Sequence, residues 1–217
     1  MRTNQKSISR LSRYRNALLQ FKSYGLSWIY SDQIATSLGI TAAQVRKDFS
    51  HFGVTGKRKI GYHIDVILEN LSKILGKNER QKAIIAGFGP LGRALYSDYL
   101  AKDKGIEIVA AFDDSNNHSN DTDPDIKIPV FPMAEITSVI TAQSIQFGII
   151  AIPDKNAQHI LDMMVLAGIR GILSLSAIEM KAPSICFVNS INLLREFEKV
   201  LFFGGKQVKR SAQHARV

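Results

Sequence analysis

The sequence predicts an α/β chain in two parts: a small, basic, helical domain over residues 1–80, then a parallel sheet covered by helices over 81–189. Three observations predict it. Apolar residues recur at helical spacing up to about residue 80, after which short apolar runs alternate with helical stretches. The excess positive charge sits entirely in the first part: of a net +9 in 217 residues, residues 1–80 hold 14 Lys and Arg against 5 Asp and Glu, and residues 81–217 balance at 14 and 14. A glycine-spaced turn, Gly87-Phe88-Gly89-Pro90-Leu91-Gly92, joins an apolar strand to a helix.

In the first part, Ile8, Leu11, Leu18, Leu19 and Phe21 form the apolar face of a helix that starts at Ser7 and stops at Tyr24-Gly25-Leu26. Ser31 is expected to cap a second helix through Leu38. Gly39 ends it, and Thr41 caps a third that runs through Phe49. A fourth covers about 64–75 and ends at Gly76, where the charged segment 76–81 serves as linker. Ile34-Ala35-x-x-Leu38-Gly39-Ile40-x-x-x-x-Val45 has the spacing of a helix-turn-helix: Ala35 allows close crossing, Gly39 makes the turn, and Ile34, Leu38 and Val45 fill the space beneath.

That arrangement leaves Thr41, Gln44, Arg46, Lys47 and His51 facing outward. Arg and Gln carry the bidentate groups that read guanine and adenine edges, and Lys47 suits phosphate. Lys57-Arg58-Lys59, bounded by Gly56 and Gly61, is expected to form a basic wing. Arg10, Arg13 and Arg15 on the first helix are candidate phosphate anchors. A concentrated positive field suits a polyanion, and double-stranded DNA is favoured over an anionic membrane, which usually calls for an exposed basic amphipathic helix. A bundle with merely solvated basic faces is the bland alternative.

In the second part, strands are expected at 83–86, 106–112, 147–152, 171–175 and 185–188, and helices at 90–101, 133–142, 155–167 and 190–203. Residues 113–125 form a polar loop, and 206–217 read as a mobile basic tail. In the glycine turn, Gly87 makes the bend, Gly89 lets backbone approach a pyrophosphate, and Gly92 permits close helix–strand packing. Pro90 fits the first helical turn, whose N-terminus faces the phosphates. Asp113 follows Gly92 by 21 residues, ending the next strand, where a carboxylate binds the adenosine ribose hydroxyls. It repels a 2′-phosphate, as does Asp114, so NAD(H) is favoured over NADP(H). Ala151, Ile152 and Pro153 are expected to face the same crevice. This is a Rossmann-type reading.

Catalytic equipment is sparse. The five histidines are scattered, His159 reads as a surface residue, and Cys186, the single cysteine, sits in an apolar strand. One cysteine excludes an internal disulfide and a cysteine-rich metal site. The chain lacks an 18-residue apolar run, and the first residues lack the apolar core of a signal peptide, so a cytoplasmic protein is expected. The nucleotide site therefore reads as a sensor. The rivals are a small NAD-dependent oxidoreductase with a basic extension, and an architectural DNA-binding protein whose second domain only dimerises. Leu193, Leu194, Phe197, Val200, Leu201 and Phe203 make a wide apolar stripe on the last helix. Burial in its own domain and insertion into a partner subunit both satisfy it.

These residues closely resemble the Rex family of bacterial redox-sensing repressors over about residues 7–205. The likeness rests on Ile8-Ser9-Arg10-Leu11, Gln44-Val45-Arg46-Lys47-Asp48 with Phe52-Gly53, Gly61-Tyr62, the Gly87–Gly92 turn, Phe112-Asp113 and Ala167-Gly168-Ile169-x-Gly171-Ile172-Leu173. It implies a winged helix-turn-helix domain, a Rossmann-type NAD(H) domain and a last helix, 190–205, exchanged between subunits of a homodimer. It also implies repression at a palindromic operator, relieved by NADH. Many members carry arginine where Asn16 aligns and aspartate where Asn192 aligns, a pair thought to couple nucleotide state to DNA. The family's Asn-Phe-Ala-Pro reads Ser174-Leu175-Ser176-Ala177 here, and Pro90 replaces a polar residue. The resemblance thus also admits a divergent relative with weakened coupling.

Overall fold

A computed structural model describes residues 5–57, 60–103, 105–114, 126–152 and 154–214, with the backbone alone for 154 and 207–214. The chain divides into two compact units, Met1–Arg80 and Gln81–Val217.

The first unit contains α1 (Gln5–Ser23), β1 (Trp28–Ile29), α2 (Ser31–Leu38), α3 (Ala42–His51), β2 (Tyr62–His63) and α4 (Ile64–Ile74). Leu11, Tyr14 and Leu18 from α1 meet Ile34, Val45, Phe49, Ile67 and Leu71 in one core. Gly39 takes φ +65°, and its N–H reaches back to the carbonyls of Ala35 and Thr36. Thr41 caps α3, its Oγ1 accepting the Gln44 N–H at 3.2 Å. The expected cap of α2 is displaced by one residue. Tyr30 holds the extended cap conformation, with its N–H bonded to Gln33 Oε1 at 2.8 Å, and Ser31 is the first helical residue and buried.

β1 and β2 pair antiparallel, and the segment before β2 closes a tight hairpin. Lys57 N–H donates to the Gly61 carbonyl at 2.7 Å, and Gly61 N–H returns the bond at 2.9 Å. Gly61 has φ +91°, and a Cβ there would lie 2.5 Å from the Ile29 carbonyl, so the position demands glycine.

The second unit is a six-stranded parallel sheet in the order β5-β4-β3-β6-β7-β8. Its strands are β3 (Gln81–Ala86), β4 (Ile106–Phe112), β5 (Val130–Phe131), β6 (Phe147–Ile150), β7 (Gly171–Ser174) and β8 (Phe187–Ser190). The two-residue edge strand β5 was not expected, and β8 begins two residues later than its apolar run. Alternation along β3 sends Ile84 and Ala86 to one core, with Ile136, Ile140, Leu161 and Met164. Ala83 and Ile85 face the opposite core, with Phe88 and Tyr96.

Among the described residues, four helices complete this unit. α5 (Pro90–Ala94) continues as a π turn (Leu95–Leu100). α6 (Ile136–Gln143) follows a 3-10 turn (Met133–Glu135), and α7 (Asp154–Ala167) and α8 (Leu193–His214) follow in turn. The last helix was expected to stop at 205, before a mobile tail. Its backbone instead stays helical through Gly204 and Gly205 to His214, so residues 206–214 belong to α8.

Candidate functional site

The outward face of α3 is organised by a buried acid. Asp48 is 5% exposed and accepts four hydrogen bonds: Arg10 Nε at 2.6 Å, Arg10 Nη2 at 2.8 Å, Tyr14 Oη at 2.7 Å and Gln44 Nε2 at 2.9 Å. Burial pushes the Asp48 carboxyl up, but the bonds from Arg10, Tyr14 and Gln44 outweigh it and hold the group below its ordinary value. The Arg10 guanidinium is pushed up, chiefly by its bond to Asp48, and burial together with that carboxylate pushes the Tyr14 phenol up.

This cluster bears on two expectations. Two of the three guanidinium nitrogens of Arg10 are committed to Asp48, so Arg10 pins α1 to α3 and is not a free phosphate anchor. The Gln44 amide nitrogen is likewise held, so its side chain is oriented by Asp48 before any partner arrives. The polar setting of Asp48 between Lys47 and Phe49 gave no sign of burial. The useful signal is the helical spacing of Gln44 and Asp48, which share one face of α3.

Arg13 is exposed, and its Nη2 caps the Leu38 carbonyl at 2.7 Å. Arg15 Nε lies 3.4 Å from Ser72 Oγ. Arg46 is exposed but turns towards α2, its Nη1 3.0 Å from Ser31 Oγ. Lys47 and Thr41 are exposed. The Lys57 ammonium stands 5.6 Å over the Trp28 ring. Arg58 and Lys59, expected at the hairpin tip, lie outside the described residues. A groove of about 400 Å³ is lined by Tyr30, Ser31, Arg46, Gly56, Lys57, Gly61 and Tyr62.

In the second unit, β4 and β5 lie on one side of β3 and β6 to β8 on the other, which makes the carboxyl end of β3 the switch point where such sheets bind ligands. The glycine turn lies there. Gly87 has φ +94°, and a Cβ on it would come within 2.5 Å of both the Ala151 carbonyl and Ile152 Cγ2. A Cβ on Gly92 would strike the Gly87 carbonyl. A Cβ on Gly89 would meet nothing within 4 Å, so the turn is open there, where a pyrophosphate would approach. Pro90 is the first residue of α5, and both it and Leu91 are exposed.

Phe88 is different. Its ring is buried against Tyr96 and Arg93, and its N–H donates to Asp113 Oδ2 at 2.7 Å. Phe88, expected to touch a cofactor, has its ring in the core and its N–H on the Asp113 carboxylate. Asp114 Oδ1 accepts the Met133 N–H at 2.9 Å.

Beyond the two carboxylates lies a pocket of about 550 Å³, lined also by Ile152, Lys155, Asn156 and His159. Ala151 packs on the turn, Ile152 lines the pocket, and Pro153 lies outside the described residues. Lys155, Asn156 and His159, on one face of the first turns of α7, were not anticipated as lining residues. Cys186 is buried, and burial pushes its thiol up, which leaves it poorly nucleophilic. Among the described residues there is no cluster able to hold a metal, and no helix is long and apolar enough to cross a membrane.

Asn192 stands at the start of α8. Its Oδ1 accepts the Arg195 N–H at 3.0 Å, an N-cap, and its Nδ2 donates to the Ala177 carbonyl at 3.0 Å. Asn16 is exposed on α1. On α8, Leu193, Leu194, Phe197, Val200, Leu201, Phe202 and Phe203 are all at least 57% exposed within this chain.

Residues 5–50 match the family described as "Putative DNA-binding protein N-terminus", and residues 78–178 match that described as "CoA binding domain". The redox-sensing transcriptional repressor Rex of Desulforamulus reducens is 33% identical over 198 residues, 91% of this chain and 93% of that one. Its namesake from Streptococcus agalactiae is 34% identical over 202 residues, 93% and 96% of the two chains. The chain belongs to the Rex family. Crystal structures agree: RSP, a Rex-family repressor, superposes with a TM-score of 0.84 at 26% identity, over 98% of this chain and 99% of that one. RSP has also been solved with NAD+ and operator DNA (TM-score 0.84, 25% identity, all of both chains) and with NADH (0.83, 26% identity, 98% and 99%). These Rex relatives are named as repressors, which weighs against the oxidoreductase alternative.

Proposed function

We propose that this Rex-family chain is a cytoplasmic, homodimeric repressor of transcription that binds a palindromic operator and loses affinity for it when NADH occupies the second unit. The carrying observation is the switch-point geometry: a backbone cradle forced by Gly87 and open at Gly89, beside a carboxylate oriented by Phe88. These residues fit NAD(H). Pro90 has no N–H and the Gly87 N–H is bonded to the Phe112 carbonyl at 2.8 Å, so the amides of Gly89, Leu91 and Gly92 would hold the pyrophosphate, and Asp113 would hold the adenosine ribose. The nicotinamide supplies the redox distinction, and the protein supplies orientation and the difference in affinity between two states. The basic first unit would bind DNA through α3 and the 57–61 hairpin, and the exposed apolar stripe of α8 suits a second copy of the chain.

A labelled operator duplex titrated in parallel with NADH and NAD+ tests this. NADH should release the duplex at concentrations where NAD+ does not.

A second reading, with the same ligands but weakened coupling, is favoured by one observation. Asn192 is already used as a helix cap and a donor to Ala177, and neither it nor Asn16 carries charge. A neutral hydrogen bond is about half as strong as a charge-assisted one. Asn16→Arg with Asn192→Asp should then increase the NADH-induced loss of operator affinity. An aspartate can still cap α8 but cannot donate to Ala177, so Asn192→Asp alone serves as the control.

A further inference from the structure

We propose that Arg46 and Lys57 form a clamp for one DNA backbone phosphate in the groove between α3 and the 57–61 hairpin, and that Arg46 does not read a base edge. The inference rests on the DNA-binding reading above and concerns what that surface grips.

The first ground is the direction of the side chain. Arg46 stands on α3, where its sequence position suits base readout. Its guanidinium instead turns back over the helix-turn-helix, with Nη1 held 3.0 Å from Ser31 Oγ. Ser31 is itself buried as the first residue of α2, so the anchor is fixed by the fold. Ser31 is therefore a positioning residue.

The second ground is shape. Base edges lie at the floor of a major groove roughly 8.5 Å deep, and are reached by side chains that project from a convex helix. Arg46 lines a concavity of about 400 Å³. A concave site accepts what projects from DNA, and what projects is the phosphodiester. Glycines at 56 and 61 keep side chains off part of the wall, and Gly61 is obligatory, as shown above.

The third ground is charge. The described lining residues include two cations, Arg46 and Lys57, the hydroxyls of Tyr30, Ser31 and Tyr62, and no acid. The Lys57 ammonium is placed over Trp28 at 5.6 Å, which restricts its stem. Two cations from different elements, with three hydroxyl-bearing side chains in the same lining, match a singly charged phosphodiester with several acceptor oxygens.

The test uses the full-length protein. The probes are the duplex that wild type selects from a random-sequence pool and a scrambled duplex of the same composition, each titrated over a range of salt. Arg46→Ala should weaken both by the same factor and reduce the slope of log K against log salt by about 0.9 per subunit. Arg46→Gln should do the same, and the exposed position makes misfolding an inadequate explanation. Lys57→Ala should act alike, and the double variant should lose less than the product of the two. A scan of single methylphosphonate linkages should find one position where neutralising the phosphate weakens wild type but not Arg46→Ala. A loss confined to the selected duplex, roughly 5- to 150-fold as for a bidentate base contact, with an unchanged salt slope, would overturn the clamp and leave the DNA reading standing. An unchanged affinity for both duplexes would also overturn it. A wild type that selects no duplex from the pool would overturn both.

Discussion

Replacing Asp48 by alanine should strongly destabilise the first unit while leaving the second intact. The carboxylate is 5% exposed and accepts four hydrogen bonds. Its removal leaves the Tyr14 hydroxyl, on a fully buried residue, without that acceptor, at about 1–3 kcal/mol. The Arg10 side chain is 26% exposed and regains some water, so its loss falls below the 3–5 kcal/mol of a fully buried pair, at about 2 kcal/mol. The half-buried Gln44 can rehydrate. The total is about 4 kcal/mol, against roughly 4–12 kcal/mol for a domain of this size. Trp28 is the single tryptophan and lies in the first unit, so its fluorescence during urea unfolding reads that unit alone. At a slope of about 1 kcal/mol per molar urea, the midpoint should fall by several molar or the transition vanish. A midpoint loss below about 1 M would refute the claim that Asp48 organises α1 against α3. The pH dependence has a definite sign. The folded carboxyl titrates below its ordinary value, so its contribution is complete above about pH 4 and is lost as pH falls through the lower folded value. Asp48→Asn should flatten that acid loss.

Two glycines in one turn should behave oppositely. Gly87→Ala meets the Ala151 carbonyl at 2.5 Å in a positive-φ conformation and should lower the melting temperature, whereas Gly89→Ala meets nothing and should keep it while weakening NADH at least about tenfold, read by nucleotide fluorescence. Asp113→Ala should weaken NADH and narrow its advantage over NADPH; equal wild-type affinity for the two cofactors would remove the assignment. Phe197→Glu places a charge in the exposed stripe of α8 and should shift a wild-type dimer towards monomer in sedimentation, with the second unit still folded.

Local chemistry made several features legible. Gly39, the Gly87–Gly92 turn and the run into Asp113 each need a particular residue type at a fixed spacing, and each stands where that spacing places it. What escaped depends on tertiary partners. Asp48 looks solvent-facing until Arg10, 38 residues earlier, arrives to neutralise it. Arg46 and Gln44 look free until Ser31 and Asp48 take their nitrogens. The β5 edge is too short to leave a periodic pattern and exists through pairing with Ala111 and Phe112. The pair Gly204-Gly205, each residue costing about 1 kcal/mol in a helix, does not end α8, which runs through it. On the far side, Lys206 Nζ lies 4.1 Å over the Phe202 ring, a helical-spacing contact that spans the glycines. The pocket wall from Lys155 to His159 follows from where α7 begins after β6, a matter of sheet order and not of local sequence.

The central claim is that nucleotide and DNA act on one conformational equilibrium, and binding linkage is reciprocal. The most direct measurement is therefore the affinity of the full-length protein for NADH with and without saturating operator duplex, in the same buffer. Operator should weaken NADH by the same factor by which NADH weakens operator. An NADH affinity unchanged by the duplex would show that the two units bind their ligands independently, and would contradict the claim.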